Sequence, residues 1–129
     1  KLLLRLEDIM HRSEQVPVVP QTASIKDALL EISKKGLGMT AVVDEQGRMA
    51  GIFTDGDLRR ILDQRYDIHT NLIAEVMTRK CITANAQMLA AEALQIMQQK
   101  KINGLIVVDD TQVPIGAMNM HDLLRAGVL

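Results

Sequence analysis

Aromatic side chains are scarce in this sequence of 129 residues, which contains one Phe, one Tyr and no Trp. Proteins that hold single-stranded nucleic acid stack the bases on aromatic rings, so this class is disfavoured. Basic residues are not in excess either, because 15 Lys and Arg stand against 16 Asp and Glu, and a protein that follows a phosphate backbone needs a basic face. We therefore expect no nucleic acid partner, and any bound nucleobase has to lie against aliphatic side chains.

Cysteine and long apolar runs are also lacking. The single thiol, Cys81, has no partner for a disulfide or a zinc site, as is usual in a reducing compartment. No run approaches the roughly 18 apolar residues of a membrane span, and no signal peptide is recognisable. We predict a cytoplasmic protein that does not contact a membrane. The chain opens at Lys1 without an initiator methionine, which we interpret as a fragment from downstream of another domain.

Recognisable catalytic patterns are missing as well. There is no Ser-His-Asp order and no Gly-rich phosphate-binding consensus. The three histidines, His11, His69 and His121, lie far apart, so a surface role, or a role in supporting another site residue, is favoured over metal binding. We predict no catalytic residue and no metal site.

An internal repeat organises the sequence. Three pairs of equivalent residues are each 65 positions apart: Val43 and Val108, Gly51 and Gly116, Asp57 and Asp122. Upstream, Met10 and Met77 correspond at an offset of 67, so a length change of two residues lies between. A repeat of this kind fixes the order of elements in both halves.

Each repeat is predicted to run helix, strand, strand, helix. A capping box at Ser24 begins a helix that ends near Gly36. Two apolar runs, 39–43 and 50–53, predict a hairpin, and Thr54 begins the second helix. We therefore predict an α/β fold of two tandem repeats packed as a pseudo-twofold pair. The expected boundaries are 1–62 for the first repeat with its leading linker, 63–72 for a connector and 73–129 for the second repeat.

The segment 51–60 joins a strand end to a helix start. Amides at a helix start lack partners and attract anions. The hydroxyl of Thr54 can bond a phosphate or a base edge, and the carboxylate of Asp57 can accept from both hydroxyls of a ribose. The second repeat has Asn119 and Asp122 at these positions. The spacing is also that of a capping box, and a purely structural cap explains it equally well.

The candidate ligand-binding residues follow from this segment and its surroundings. They are Met39, Thr40, Thr54, Asp55, Asp57 and Arg59 in the first repeat, and Asn119, His121 and Asp122 in the second.

The sequence Gly-Ile-Phe-Thr-Asp-Gly-Asp-Leu-Arg-Arg at 51–60 resembles the signature of the CBS domain. Pairs of CBS domains bind adenosine-type and related nucleotides through a pattern Gly-h-h-Thr/Ser-x-x-Asp, where h is apolar. Gly51, Thr54 and Asp57 match this pattern. In the second repeat Asn119 replaces the hydroxyl residue, which implies a weaker, altered or empty second site.

A narrower resemblance adds Ala-Glu-Val-Met-Thr at 74–78 and Met-His-Asp-Leu-Leu-Arg-Ala-Gly at 120–127. These segments are similar to the C-terminal half of bacterial D-arabinose 5-phosphate isomerases, enzymes of lipopolysaccharide sugar (Kdo) biosynthesis. The resemblance implies a regulatory module that senses CMP-Kdo, AMP or ATP, without another cofactor. The implied partners are an N-terminal sugar-isomerase domain, which holds the active site, and further copies of the chain in a homo-oligomer. The alternative is a structural or oligomerisation module that binds no ligand.

Overall fold

A computed structural model of the protein describes residues 3–128 and divides the chain into two compact units. The first unit is Pro17–Cys81, and the second combines the residues up to Val16 with those from Ile82 onward. The expected start of a fragment at Lys1, and residues 2 and 129 of the predicted repeats, lie outside the described residues. No helix within residues 3–128 has both the length and the apolar character needed to cross a membrane.

The described residues contain five α-helices and six strands, which are numbered along the chain. The helices are α1 (Leu6–Ile9), α2 (Ile25–Lys35), α3 (Asp55–Ile61), α4 (Ala90–Lys100) and α5 (Met120–Arg125). The strands are β1 (Val18–Pro20), β2 (Met39–Val43), β3 (Met49–Thr54), β4 (Thr83–Ala84), β5 (Gly104–Val108) and β6 (Pro114–Asn119). Two single turns of 3₁₀ helix lie at Ser13–Gln15 and Ile73–Glu75.

Each unit contains a three-stranded sheet with the same topology. In the first unit β2 is central, parallel to β1 and antiparallel to β3. In the second unit β5 is central, parallel to β4 and antiparallel to β6. Both hairpins have an irregular step in their register, between Val42 and Val43 and between Val107 and Val108. Because these steps are 65 positions apart, the two units share one register.

The predicted order of helix, strand, strand and helix is confirmed in both repeats, and the α/β class with it. The structure adds one strand to each repeat, β1 and β4, which the sequence analysis missed. These strands have three and two residues, so they are too short to show an alternating pattern. β1 is nevertheless fixed to the sheet, because the amide of Ala41 donates to the carbonyl of Pro17 at 2.9 Å.

The helix α2 begins and ends where its sequence indicates. The hydroxyl of Ser24 accepts a hydrogen bond from the amide of Asp27 at 3.0 Å, as an N-cap does. Gly36 follows the last turn with φ of 72°, a left-handed conformation that glycine adopts without strain. Glu31 on this helix accepts from the amide of Val18 at 3.0 Å and pairs with Lys35. This carboxylate therefore ties α2 to the start of β1.

Aliphatic and thioether side chains fill both interiors. The core of the first unit consists of Val19, Ala28, Ile32, Val42, Phe53, Ile73 and Met77. The core of the second unit consists of Leu6, Met10, Ala84, Ala90, Ala93, Met97, Leu105, Val107, Met118 and Leu123. Phe53 and Met118 occupy equivalent positions, 65 residues apart, and both are completely buried. Methionine adapts to irregular gaps, so it can replace the aromatic ring.

A short segment packs onto the hairpin of each unit. In the first unit Thr78 and Ile52 exchange two backbone hydrogen bonds of 2.9 and 2.8 Å. In the second unit His11 and Ala117 do the same at 2.8 and 3.1 Å. We call residues 73–78 and 6–11 the docking segments of the first and second unit. Residues 6–11 lie at the start of the first repeat in sequence but belong to the second unit, so each unit is completed by the segment at the start of the other repeat.

Two glycines of the repeat allow the docking segments to approach the strands. A Cβ atom at Gly51 would lie 2.7 Å from the sulfur of Met77 and 2.8 Å from the carbonyl oxygen of Thr78. A Cβ atom at Gly116 would meet the sulfur of Met10 and lie 3.0 Å from its Cγ. These glycines are therefore required by packing within each unit.

We predict that Gly51→Ala destabilises the protein by about 1 to 3 kcal/mol, because the added methyl group meets backbone as well as a side chain. The melting temperature measured by circular dichroism should fall by several degrees. Gly56→Ala, within the same motif, is the matched control. Its nearest neighbour would be 3.6 Å away, and alanine favours a helix, so its melting temperature should be unchanged or slightly higher. Equal losses in both variants would contradict the packing role of Gly51.

Candidate functional site

The corner between β3 and α3 is organised by a reciprocal pair of hydrogen bonds. The amide of Asp57 donates to Thr54 Oγ1 at 3.2 Å, and the amide of Thr54 donates to Asp57 Oδ2 at 3.0 Å. The Thr54 hydroxyl also donates to this oxygen at 3.1 Å. Both residues thus satisfy backbone groups that a helix start leaves without partners. The capping explanation of this spacing is therefore confirmed.

The second oxygen of the same carboxylate faces two replaceable donors. Asp57 Oδ1 accepts from the guanidinium of Arg60 in a close ion pair and from the hydroxyl of Thr78 at 3.2 Å. The Asp57 side chain is largely buried, whereas that of Arg60 is 71% exposed. One carboxylate therefore holds the helix start with one oxygen, and an exposed arginine and the docking segment with the other.

The corner between β6 and α5 repeats this arrangement with different donors. The amide of Asn119 donates to Asp122 Oδ2 at 2.9 Å, and the amide of Asp122 donates to Asn119 Oδ1 at 3.0 Å. Asp122 Oδ1 lies 2.8 Å from Arg125 Nη2 and 3.0 Å from His11 Nε2. The side chain of Asp122 is 5% exposed and that of Arg125 is 63% exposed. The second corner therefore offers the same chemistry, with an imidazole where the first has a hydroxyl.

The expectation of bare amides at these corners is wrong for the first amide of each helix. The amide of Asp55, first in α3, donates to the carbonyl of Gly38 at 3.1 Å. The amide of Met120, first in α5, donates to the carbonyl of Asn103 at 2.9 Å. The backbone just before β2 and β5 thus supplies acceptors that the sequence pattern did not reveal, and an anion cannot use these two amides without breaking a bond.

The other predicted site residues of the first repeat differ in their exposure to solvent. Asp55 and Arg59 are exposed on α3. Met39 is opposite Thr54 in the register of β2 and β3 and is 2% exposed. Thr40 is completely buried, and its hydroxyl donates to the carbonyl of Ala41 at 3.0 Å. The corner therefore has charged groups on the helix and closed apolar packing on the neighbouring strand.

His121 of the second repeat is exposed on α5. The histidine that contacts the second corner is instead His11, which the sequence analysis placed on the surface or in support of another site residue without naming its partner. His11 is 111 residues from Asp122, so local spacing could not reveal the contact. The correspondence of Met10 with Met77 was the available signal, because it aligns the next residues, His11 and Thr78.

The pKa of the Asp122 carboxyl is lowered by its surroundings. Burial of the side chain raises this pKa. Hydrogen bonds from the Asn119 amide, His11 and Arg125 lower it by more than burial raises it, so the pKa lies below its ordinary value of 3.8. The ionised form is therefore the one that the folded corner stabilises.

The comparisons with known proteins agree with this geometry. The model of the CBS domain family matches residues 6–64 and 73–129. A solved CBS domain pair, that of protein MJ0100 in complex with 5′-methylthioadenosine and S-adenosyl-L-methionine, superimposes with a TM-score of 0.86 at 27% identity, covering 98% of this chain and 97% of that one. The structure of CBSX2 in complex with AMP gives a TM-score of 0.79 at 21% identity over 96% of both chains, a likeness of fold. This chain belongs to the CBS domain family and consists of a pair of such domains.

Curated relatives narrow the similarity to one enzyme group. The chain is 55% identical over 129 residues to the arabinose 5-phosphate isomerase KdsD of Pseudomonas aeruginosa. It is 49% identical over the same length to KdsD of Escherichia coli K12. The alignments cover all of this chain but 40% and 39% of these relatives. The chain thus spans about two fifths of the length of the isomerases that it resembles.

We predict that Asp122 contributes to the pH dependence of stability. Because its pKa is lowered on folding, its contribution is complete above about pH 4 and is lost as the pH falls through the lowered pKa. Asp122→Asn should therefore cost about 1 to 3 kcal/mol at pH 7 and weaken the fall of the melting temperature below pH 4. Melting curves between pH 2.5 and 7 measure both effects, with Asp63→Asn, at an exposed position, as the control. An Asp122→Asn curve parallel to that of the wild type would contradict the prediction.

Proposed function

We propose that this chain is the nucleotide-sensing regulatory module of an arabinose 5-phosphate isomerase of Kdo biosynthesis, and that catalysis takes place in a separate sugar-isomerase domain. The observation that carries this proposal is that each corner presents a buried carboxylate, one of whose oxygens is bonded to an exposed arginine. A ribose has two adjacent hydroxyls, which can replace the arginine and the docking segment as donors to that oxygen. The 27% identical CBS domain pair solved with two adenosine compounds supports this chemistry.

The arginine that the ribose displaces can bind the phosphate of the same nucleotide. Arg60 and Arg125 are mostly exposed, so their guanidinium groups can turn away from Asp57 and Asp122 at little cost in burial. A guanidinium binds phosphate oxygens in a bidentate manner. Binding of a nucleotide thus exchanges one set of charge-assisted hydrogen bonds for another. Beside Arg60 and Arg125, the proposed ligand contacts are Thr54, Asp55, Asp57, Arg59, Met39 and Thr40 at the first corner, and Asn119, His121 and Asp122 at the second.

CMP-Kdo is the favoured ligand, and AMP and ATP are the alternatives. CMP-Kdo is the activated end product of the pathway, and the isomerase acts at an early step. Control of this early step by the end product would match the flux through the pathway to demand. At the first corner the only aromatic ring on β3 in the described part of the chain, that of Phe53, is completely buried, so a purine gains no advantage there from stacking on it. A cytoplasmic location and a homo-oligomeric parent enzyme belong to the same proposal.

A structural module that binds no ligand is the second candidate. It is favoured by the saturation of both carboxylates within their own units, where each already bonds a helix start, an arginine and a docking segment. Light scattering with and without nucleotides tests this candidate. A stable oligomer that no nucleotide stabilises or rearranges favours the structural role.

The ligand proposal predicts the outcome of a thermal-shift panel with CMP-Kdo, CMP, AMP and ATP. A ligand at a hundredfold excess over its dissociation constant adds about 2.7 kcal/mol of stability, which corresponds to several degrees. We expect CMP-Kdo to give the largest shift. A flat response to CMP-Kdo beside a clear shift with AMP would refute the end-product hypothesis, and no shift with any nucleotide would refute nucleotide sensing.

We further predict that Asp57→Ala weakens nucleotide binding at least tenfold in a calorimetric titration, because the ribose loses a charged acceptor. Asp44→Ala is the matched control. Asp44 accepts two backbone amides in the turn between β2 and β3, at the opposite end of these strands from the corner, so its loss should affect stability and leave affinity unchanged. If folded Asp57→Ala protein bound the nucleotide with full affinity, Asp57 would be a helix cap alone.

A further inference from the structure

The two corners differ in the number of arginines that they carry. Arg60 and Arg125 correspond at the repeat period of 65 residues, and each is paired with the aspartate of its own corner. Arg59, the residue before Arg60, corresponds to Leu124. Arg59 is exposed and Leu124 is 53% exposed, so neither side chain is needed to fill a core. The difference therefore concerns the surface that each corner presents to solvent.

The guanidinium groups of Arg59 and Arg60 lie around one point on α3. A Cβ atom at Gly56 would be 3.9 Å from Nη2 of Arg59 and 3.9 Å from Nη2 of Arg60. The same atom would be 3.6 Å from Thr54 Oγ1. Two cationic groups and a hydroxyl thus border a space that no side chain of residue 56 fills. Arg60 also bonds Asp57, so this space is adjacent to the proposed acceptor of the ribose.

Arg59 is the arginine of this pair that the fold does not use. Arg60 is bonded to Asp57, whereas the guanidinium of Arg59 has no hydrogen-bond or ion-pair partner in the described part of the chain. The carboxylate of Asp55 lies instead beside Gly38, where a Cβ atom would be 3.4 Å from its Oδ2. Two neighbouring guanidinium groups repel each other, and an anion bound by both removes this repulsion. The arrangement is therefore typical of a phosphate site.

The second corner has only one guanidinium of this pair. Leu124 offers no donor at the position of Arg59, and Arg125 already bonds Asp122. His121, which corresponds to Gly56, adds a side chain where the first corner has none. A phosphate at the second corner would therefore meet one guanidinium instead of two, and less open space.

We propose that Arg59 makes the first corner selective for phosphorylated nucleosides, and that the second corner binds a nucleoside with little preference for its phosphate. At the first corner Asp57 accepts the ribose hydroxyls, while Arg59 and the released Arg60 bind the phosphate between them. At the second corner Asp122 accepts the ribose hydroxyls, and Arg125 alone faces the phosphate. This inference rests on the proposed function for its ribose, but the phosphate site can be tested without one.

Nuclear magnetic resonance titrations measure both corners in one sample. The amide signals of Gly56 and His121 come from equivalent positions, so they report on the first and the second corner. At the first corner we expect AMP and CMP to bind at least about tenfold more tightly than adenosine and cytidine, because two guanidinium groups form charge-assisted hydrogen bonds with the phosphate. At the second corner the phosphate should change the affinity by no more than about threefold. An equal preference for the phosphate at both corners would overturn the inference.

An exchange of side chains between the corners isolates the contribution of Arg59. Arg59→Leu should lower the preference of the first corner for AMP over adenosine about fivefold, by weakening AMP binding. Leu124→Arg should raise the preference of the second corner by a similar factor. Arg65→Leu removes an exposed arginine of the first unit outside the site and is the control for net charge. A wild-type preference in Arg59→Leu, or an equal loss in Arg65→Leu, would overturn the inference.

Inorganic pyrophosphate tests the phosphate site without a ribose. It should shift the Gly56 amide of the wild type in a saturable manner and affect the His121 amide less, and Arg59→Leu should lose most of the shift at Gly56. The absence of a saturable shift at Gly56 would overturn the phosphate site. If pyrophosphate binds as expected but no nucleoside or nucleotide does, the proposed function has failed, and with it the nucleoside part of this inference, while the anion site at Arg59 stands.

Discussion

One buried carboxylate in each unit joins three parts of the structure. Asp57 and Asp122 hold the first turn of a short helix with one oxygen, and bind an arginine and a docking segment with the other. A carboxylate in such a place is tolerated only while its partners remain. A ligand that offers better donors to Oδ1 therefore breaks the bond between this oxygen and the docking segment. In the proposed sensor, ligand binding is thus coupled directly to release of the docking segment.

The regular elements of the fold could be predicted from the sequence because their signals are local. The helix from Ile25 has its cap, its apolar spacing and its terminal glycine within a dozen residues, and the hairpin of β2 and β3 has two apolar runs around a turn. The strands β1 and β4 are too short for periodicity. The docking of residues 6–11 on β6 joins positions more than a hundred residues apart, which no local pattern encodes.

The capping residues of the candidate site could be predicted from the sequence, but the groups that contact them could not. The repeated motif indicated Thr54 with Asp57 and Asn119 with Asp122, and the structure confirms the reciprocal caps that this spacing allows. Their binding roles remain a proposal. The contacts of Thr78 and His11 were missed because both lie on docking segments, and the acceptors at Gly38 and Asn103 were missed because backbone carbonyls leave no trace in a sequence.

The crossing of docking segments between the two halves of the sequence has a consequence for any attempt to separate those halves. Met10 packs against Gly116 and Met77 packs against Gly51, so the segment that leads into each repeat completes the other unit. A cut between the two sequence repeats would therefore leave each of these glycines without the methionine that covers it.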